Sequence, residues 1–362
     1  MLGSDLYRKR VESLISYITE RNLDLALLTS PANAFYFTGF EKAIATIITG
    51  DSKPVLIVPR HIYPTARRSI KYGEVIAFCS YETDFAPHEK VLVGELWESL
   101  KREFLRKVRK IGLDFSGLKL GDYLKIKAMK LEIEDISPRI REMRSIKSPE
   151  EINLIEKAVM VNRKAMERAI NSLEEGISEL EVLAEIYDVL TRSNAMYPSR
   201  VSFGENSGEP HAPPSMKKLR KGDLVLIDIG ARLEGYCSDV TRTVIYGEAP
   251  RRSRDLFEYV KNVHRRVIDA IKPGIEVKSL DLLVRSIFKE QNMLQYFNHN
   301  LGHGIGIEIR EYPEITPITK GVLKKGMVLA VEPGLYLPGF GGVRFEDMIL
   351  VTDDGCKIFS EF

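Results

Sequence analysis

The chain has 362 residues, 44% of them hydrophobic and 29% charged, with a formal net charge of +2. That length exceeds what one compact domain usually needs, so two domains are expected. The near-neutral balance supplies no strong field for nucleic acid or a membrane surface, and neither is an expected partner.

The opening "MLGSDLYRKRVESL" is charged and lacks the apolar centre of a signal peptide. No uncharged apolar run approaches membrane-spanning length. Cys79, Cys237 and Cys356 are far apart and odd in number, which points to reduced thiols in a cytoplasm and not to a disulfide framework. Glutamine occurs only at Gln291 and Gln295 amid abundant Lys, Arg and Glu, a composition that leans toward a thermophile.

Residues 1–142 alternate short apolar runs with helix-like segments. "DLALLTS", "ATIITG", "PVLIVP", "EVIAFCSY" and "KIGLDFS" read as strands. The charged stretch 88–110 carries Leu92, Leu96, Trp97, Leu100 and Leu105 at roughly helical spacing. The pattern is α/β. Pro138 and Pro149 bracket a basic connector that places the domain boundary near residue 143. Ser148 and Glu151 then form a capping box with Pro149 at the first helical position, opening a helix expected to reach about Gly176. Ser178 and Glu181 repeat the signature before a second helix. Residues 143–362 continue as α+β, with β runs, Gly-rich turns and two more helices near 252–272 and 278–291.

Within that second part, "LIDIGARLEGYCSDVTRT" (226–243) reads as a buried hairpin carrying two aspartates. With the turn centred near Leu233–Glu234, Asp228 and Asp239 fall opposite one another, and Thr241 and Thr243 share the face of Asp239. Facing carboxylates repel, and burial raises the cost. A shared proton, a basic neighbour or a metal ion would each relieve it.

Further candidates follow. "NHNLGHGIGIEIREYP" (298–313) holds His303 between two glycines. Those glycines argue against a helix on which His299 and His303 would clasp zinc, and suggest a loop with room for a ligand near the backbone. "GHGIG" does not fit the dinucleotide fingerprint. "LAVEPGLYLPGFGGVRFEDMILVT" (329–352) sets Glu332 at the end of an apolar strand and Glu346 inside another. Four carboxylates and one imidazole in β or tight-loop contexts match a dinuclear metal site, and an oxygen-rich donor set favours hard ions such as Mn(II), Co(II) or Fe(II), with zinc as an alternative.

The ordered motifs "DIGARLEGYCSDVTRT", "GHGIGIEIREYP", "VEPGLY" and "GGVRFEDMILVT" resemble those of the pita-bread metallopeptidases, a family that includes methionine aminopeptidase, aminopeptidase P and prolidase. The N-terminal "TSPANAFYFTGF" resembles the creatinase-type domain carried by aminopeptidase P and prolidase. The chain is most similar to the archaeal-type Xaa-Pro dipeptidases of that family. The resemblance implies a creatinase-type α/β domain over 1–142 and a pita-bread catalytic domain over 143–362.

It also implies a ligand set of Asp228, Asp239, His303, Glu332 and Glu346 holding two divalent ions, Mn2+ or Co2+ first and Zn2+ or Fe2+ as alternatives. The implied substrate is a proline-containing dipeptide, and the implied assembly a homodimer. Glu332 would serve as general base and His211, in "SGEPHAPPS", as a donor to the oxyanion. The alternative activity is removal of the residue before proline from longer peptides. Tyr197, Phe203, Tyr336 and Phe340 are candidate walls of a proline pocket. Arg344 would either orient Glu346 or grip the substrate's carboxylate.

One position departs from the family's "HE.P" run: Arg310 stands where a second histidine is usual. Arginine stays charged and only donates, which excludes a proton shuttle but allows contact with an oxyanion or a substrate carboxylate.

Overall fold

The computed structural model describes residues 2–50 and 53–362. Residues up to Met143 form one compact unit and Arg144–Phe362 a second. Among the described residues, no helix is long and apolar enough to cross a membrane.

The first unit runs α1 (Ser4–Glu20), β1 (Leu25–Leu28), α2 (Pro31–Thr38), β2 (Ala45–Thr49), β3 (Val55–Pro59), α3 (Tyr63–Ser69), β4 (Glu74–Cys79), β5 (Val91–Val93), α4 (Leu96–Phe104), β6 (Lys110–Leu113), α5 (Leu120–Ala128), β7 (Glu132–Asp135) and α6 (Ser137–Ser145). Its strands make one mixed sheet in the order β5-β4-β3-β2-β1-β6-β7. All five apolar runs singled out above are strands of this sheet. Helices cover both faces. Leu25, Leu27, Ile47 and Ile57 pack with Trp97, Leu100 and Ile126 on one side, and Leu56 and Val58 pack with Tyr63 and Ala66 on the other. Stretch 88–110 is not one helix. Gly94, at φ +107°, breaks it into β5 and α4, so Leu92 belongs to the sheet.

The second unit opens with α7 (Pro149–Asn171) and α8 (Glu179–Arg192), each started by the expected capping box. The first stops at Asn171, short of Gly176. Next come β8 (Ser199–Phe203), β9 (Leu224–Leu233), β10 (Tyr236–Ile245), α9 (Arg251–Ala270) and α10 (Val277–Glu290). The chain closes with β11 (Gly302–Gly304), β12 (Glu311–Ile315), β13 (Val328–Val331), β14 (Gly334–Leu337), β15 (Gly341–Arg344), β16 (Asp347–Val351) and β17 (Cys356–Ile358). Three sheets result: β10-β9-β8, β12-β11-β13-β16-β17 and the pair β14-β15. Helix α7 lies on the first, where Asn162 Nδ2 donates to the Ile229 carbonyl at 2.9 Å. The apolar stripes of α9 and α10 (Val260, Val263, Val267, Leu280, Val284, Phe288) bury against Leu329, Val331 and Ile349 of the second.

The β9–β10 hairpin differs from expectation in register. Its two-residue turn is Glu234–Gly235, both at positive φ (49° and 89°), the backbone that twisted two-residue hairpins require. The centre lies one residue beyond the expected one, which moves the pairing by two. Asp228 therefore opposes Thr241, and Asp239 opposes Gly230. A shift of two preserves the face, so both aspartates still project to the same side, now as diagonal neighbours.

Candidate metal centre

Asp228 and Asp239 reach the site from the hairpin. His303 reaches it from β11, a strand inside the five-stranded sheet and not the open loop that its glycines suggest. Those glycines serve strand packing: a Cβ on Gly302 would meet the Ala330 carbonyl, and one on Gly304 would meet the Tyr312 carbonyl. Glu332 follows the last residue of β13. Glu346 lies between β15 and β16, where its backbone bridges to Thr241 of the hairpin.

These segments bring Asp239, His303 and Glu346 together, with ligand atoms within 4.8 Å of one another. Glu332 Oε1 lies 3.7 Å from His303 Nε2. Asp228, His303, Glu332 and Glu346 are buried and Asp239 is half-buried.

Two atoms test the fit to a cation. His303 Nδ1 is 3.0 Å from the Gly304 carbonyl, which only accepts, so Nδ1 carries the proton and Nε2 keeps a bare lone pair. Nε2 and Glu346 Oε1 are both buried without a hydrogen-bond partner among the described residues. Bare, buried acceptors on two members of one carboxylate–imidazole cluster suit a positive ion.

The electrostatics agree. Burial, with the carboxylates of Glu346, Asp228 and Glu332, pushes Asp239 well above the usual range. Burial and the charges of Glu332 and Asp228 do the same to Glu346. Burial raises Glu332 to about 7 against the pull of Arg344 and Arg310. Burial and Arg310 lower His303 to about 4, which keeps it neutral and able to ligate.

Residues 153–353 match metallopeptidase family M24, more than half of the chain. The chain belongs to metallopeptidase family M24. Residues 10–146 of this M24 protein match the creatinase/prolidase N-terminal domain. An Xaa-Pro dipeptidase of Pyrococcus furiosus is 34% identical to it over 355 residues, covering 97% of each chain. The structure of a prolidase from Pyrococcus horikoshii OT3 superposes with a TM-score of 0.86 at 32% identity, over 98% of each chain. That of an X-Pro aminopeptidase from Thermotoga maritima also gives 0.86, at 26% identity over 97% of each.

Around the cluster, other residues of this M24 chain fall differently from expectation. Arg344 is fully buried. Its Nη2 donates to Asp228 at 2.7 Å, Nε to Thr241 Oγ1 at 3.1 Å, and Nη1 to the Tyr336 hydroxyl at 3.0 Å and the Pro210 carbonyl at 3.1 Å. Four of its five donors are thus committed, which leaves no fork for a substrate carboxylate. It braces Asp228 and not Glu346. Tyr336 is buried, its hydroxyl held between Arg344 and His299 Nε2 (2.9 Å), so it backs Arg344 from inside the core. Phe203 is fully buried in β8. Phe340 packs on the core with Arg252 over its ring. Tyr197 stays half-buried, its ring seated over Gly230 beside Asp239.

His211 is exposed at the surface, and partial desolvation with the charges of Arg200 and Arg344 lowers its pKa. Arg310 aims at Glu332, with 3.7 Å from Nη2 to Oε1. Glu311, its neighbour, turns the other way, to Arg144 at 2.5 Å and Lys147 at 3.3 Å. Sequence reasoning missed three contacts: Thr241 Oγ1 donating to Glu346 at 2.7 Å, Arg200 beside Asp228, and the buried Glu311 cluster. Only the first had a local signal, since Thr241 shares the face of Asp239.

Proposed function

We propose that this M24 chain hydrolyses Xaa-Pro dipeptides, using two divalent ions held by Asp228, Asp239, His303, Glu332 and Glu346. The observation that carries this reading is the pair of bare, buried acceptors, His303 Nε2 and Glu346 Oε1, inside the carboxylate cluster. The oxygen-rich donor set favours Mn2+ or Co2+. Such ions supply a water of lowered pKa and polarise the peptide carbonyl. Glu332 then takes the water's proton on a carboxylate oxygen and delivers it to the departing proline nitrogen. His211, whose pKa is lowered by partial desolvation and by Arg200 and Arg344, has a ring N–H in either protonation state to donate to the developing oxyanion. Arg310 faces the substrate's side of Glu332. Arg344 keeps Asp228 in one orientation by a tight charge-assisted contact. Proline has no amide hydrogen for strand-like recognition, so its ring has to be read by apolar contact, and the half-buried Tyr197 is the candidate wall.

The proposal includes a homodimer in the cytoplasm. The lack of any disulfide among Cys79, Cys237 and Cys356 supports the compartment, and sedimentation tests the dimer. The deciding experiment measures bound metal together with turnover of Met-Pro, Met-Pro-Ala and Met-Ala. Metal-dependent cleavage of Met-Pro above the other two is expected. Preference for the tripeptide would assign the activity of an Xaa-Pro aminopeptidase instead, the activity named for the Thermotoga maritima structure.

A further inference from the structure

Two cations at the mouth of the cluster are bound far more loosely than Arg344. Arg200 stands on β8 directly opposite Asp228. Its Nη1 reaches Asp228 Oδ2 at 3.4 Å, an oxygen that already accepts from Arg344 at 2.7 Å. The Arg200 side chain keeps 37% of its surface exposed. Arg310 keeps 54%, and its nearest carboxylate oxygen, Glu332 Oε1, is 3.7 Å away, outside hydrogen-bond distance. Among the described residues, Arg310 has no side-chain hydrogen bond. Each guanidinium therefore retains at least four of its five donors. Arg200 reaches Asp228 and Arg310 faces Glu332, and both of these carboxylates lie against the same Arg344, at 2.7 and 3.9 Å, so the two guanidiniums border one cluster.

Charge counting sharpens the point. Two divalent ions held as proposed would neutralise Asp228, Asp239, Glu332 and Glu346. Arg344, Arg200 and Arg310 then remain as excess positive charge. Arg344 is buried with four of its five donors committed, whereas the other two keep exposed surface. Covering them with a neutral peptide would strip water from two cations without compensation. An anion would supply it.

We infer that Arg200 and Arg310 together form a seat for a carboxylate of the substrate, which makes them specificity-determining residues. This inference rests on the Xaa-Pro reading above. The carboxylate has two sources in such a peptide: the free C-terminus of a dipeptide, or an acidic side chain on the residue before proline.

Two substrate pairs separate these sources. Met-Pro against Met-Pro-amide tests the terminus, and Glu-Pro-amide against Gln-Pro-amide tests the side chain. The metal-loaded wild type is expected to favour the carboxylate member of one pair by roughly tenfold or more in kcat/KM, chiefly through KM, the scale of one charge-assisted hydrogen bond. Arg200→Met and Arg310→Met should each shrink that ratio with bound metal unchanged, and Arg200→Lys should restore part of it. Equal cleavage of both members of both pairs by the wild type overturns the inference and leaves the Xaa-Pro reading standing. So does an Arg200→Met variant that loses metal while its ratio is unchanged, because Arg200 would then serve Asp228 alone. A metal-loaded wild type that cleaves none of the four peptides overturns the Xaa-Pro reading, and the inference falls with it.

Discussion

Glu311→Gln should cost more stability than any change among the exposed ion pairs. The Glu311 side chain is buried between Arg144 and Lys147, whose own side chains are 7% and 1% exposed. Burial alone would raise the carboxyl's pKa, but Lys147 and Arg144 overcome it and bring it to about 2. Against its ordinary 4.5, that depression corresponds to roughly 3 kcal/mol. Glutamine keeps the volume and removes the charge, which strands the buried Lys147 and leaves Arg144 to its other carboxylate, Glu308 at 2.7 Å, a loss of about 3–5 kcal/mol. For a unit of this size that is a drop of roughly 6–20 °C in Tm. Urea unfolding followed by far-UV circular dichroism measures it. Trp97 is the only tryptophan and lies in the first unit, so its fluorescence serves as an internal control. The double variant Glu311→Gln with Lys147→Met should recover part of the loss, since it removes the stranded charge. A Glu311→Gln midpoint within about 1 kcal/mol of wild type would show that the cluster exchanges its charges with water, and the reasoning would fail.

The same carboxylate predicts an acid response. A folded pKa of about 2 below an unfolded 4.5 means that its stabilisation is complete above pH 4.5 and is lost as pH falls toward 2. Stability titrations of wild type and Glu311→Gln should therefore converge over that window. Asp228→Asn should weaken metal binding and remove most activity while circular dichroism stays unchanged; full activity in a chelated sample would refute the metal reading. Thr241→Val, which deletes the 2.7 Å bond to Glu346, should weaken metal affinity, measured by calorimetry, by roughly fivefold to tenfold. Arg310→His should retain activity and add a titration near ~6.5 to the pH–rate profile, and an unchanged profile would mean that position 310 does not meet the reacting groups.

What could be read along the chain and what could not divide on distance. Short apolar runs such as "PVLIVP" announced strands, and Ser148 with Glu151 announced a helix start, because those signals are local. β7, "EIED", was invisible because its charges mask its place at a sheet edge. The hairpin register was misplaced because the turn was set one residue early, although Gly235 marks the position where positive φ is needed. The five proposed ligands stood out, the carboxylates by their apolar strand context and His303 by its flanking glycines. The contacts that brace them did not. Arg344 reaches Asp228 across 116 residues of chain, and Arg200 sits in an ordinary strand with nothing nearby to mark it.

The proposed ligands come from separate sheets: two from the β9–β10 hairpin, His303 and Glu332 from β11 and the end of β13, and Glu346 from the segment that bridges to Thr241. An ion among them would be a cross-link over a seam lined by closely packed carboxylates. Chelation should therefore loosen this seam before it loosens the α7 contacts. Amides of β10 and β16 would exchange with deuterated water faster, while those of Leu154 to Ala169 would keep their protection. Added ions would slow exchange again by mass action, in proportion to the logarithm of their concentration over Kd. The working lifetime of the folded chain would then follow the supply of metal around it more closely than the packing of its core.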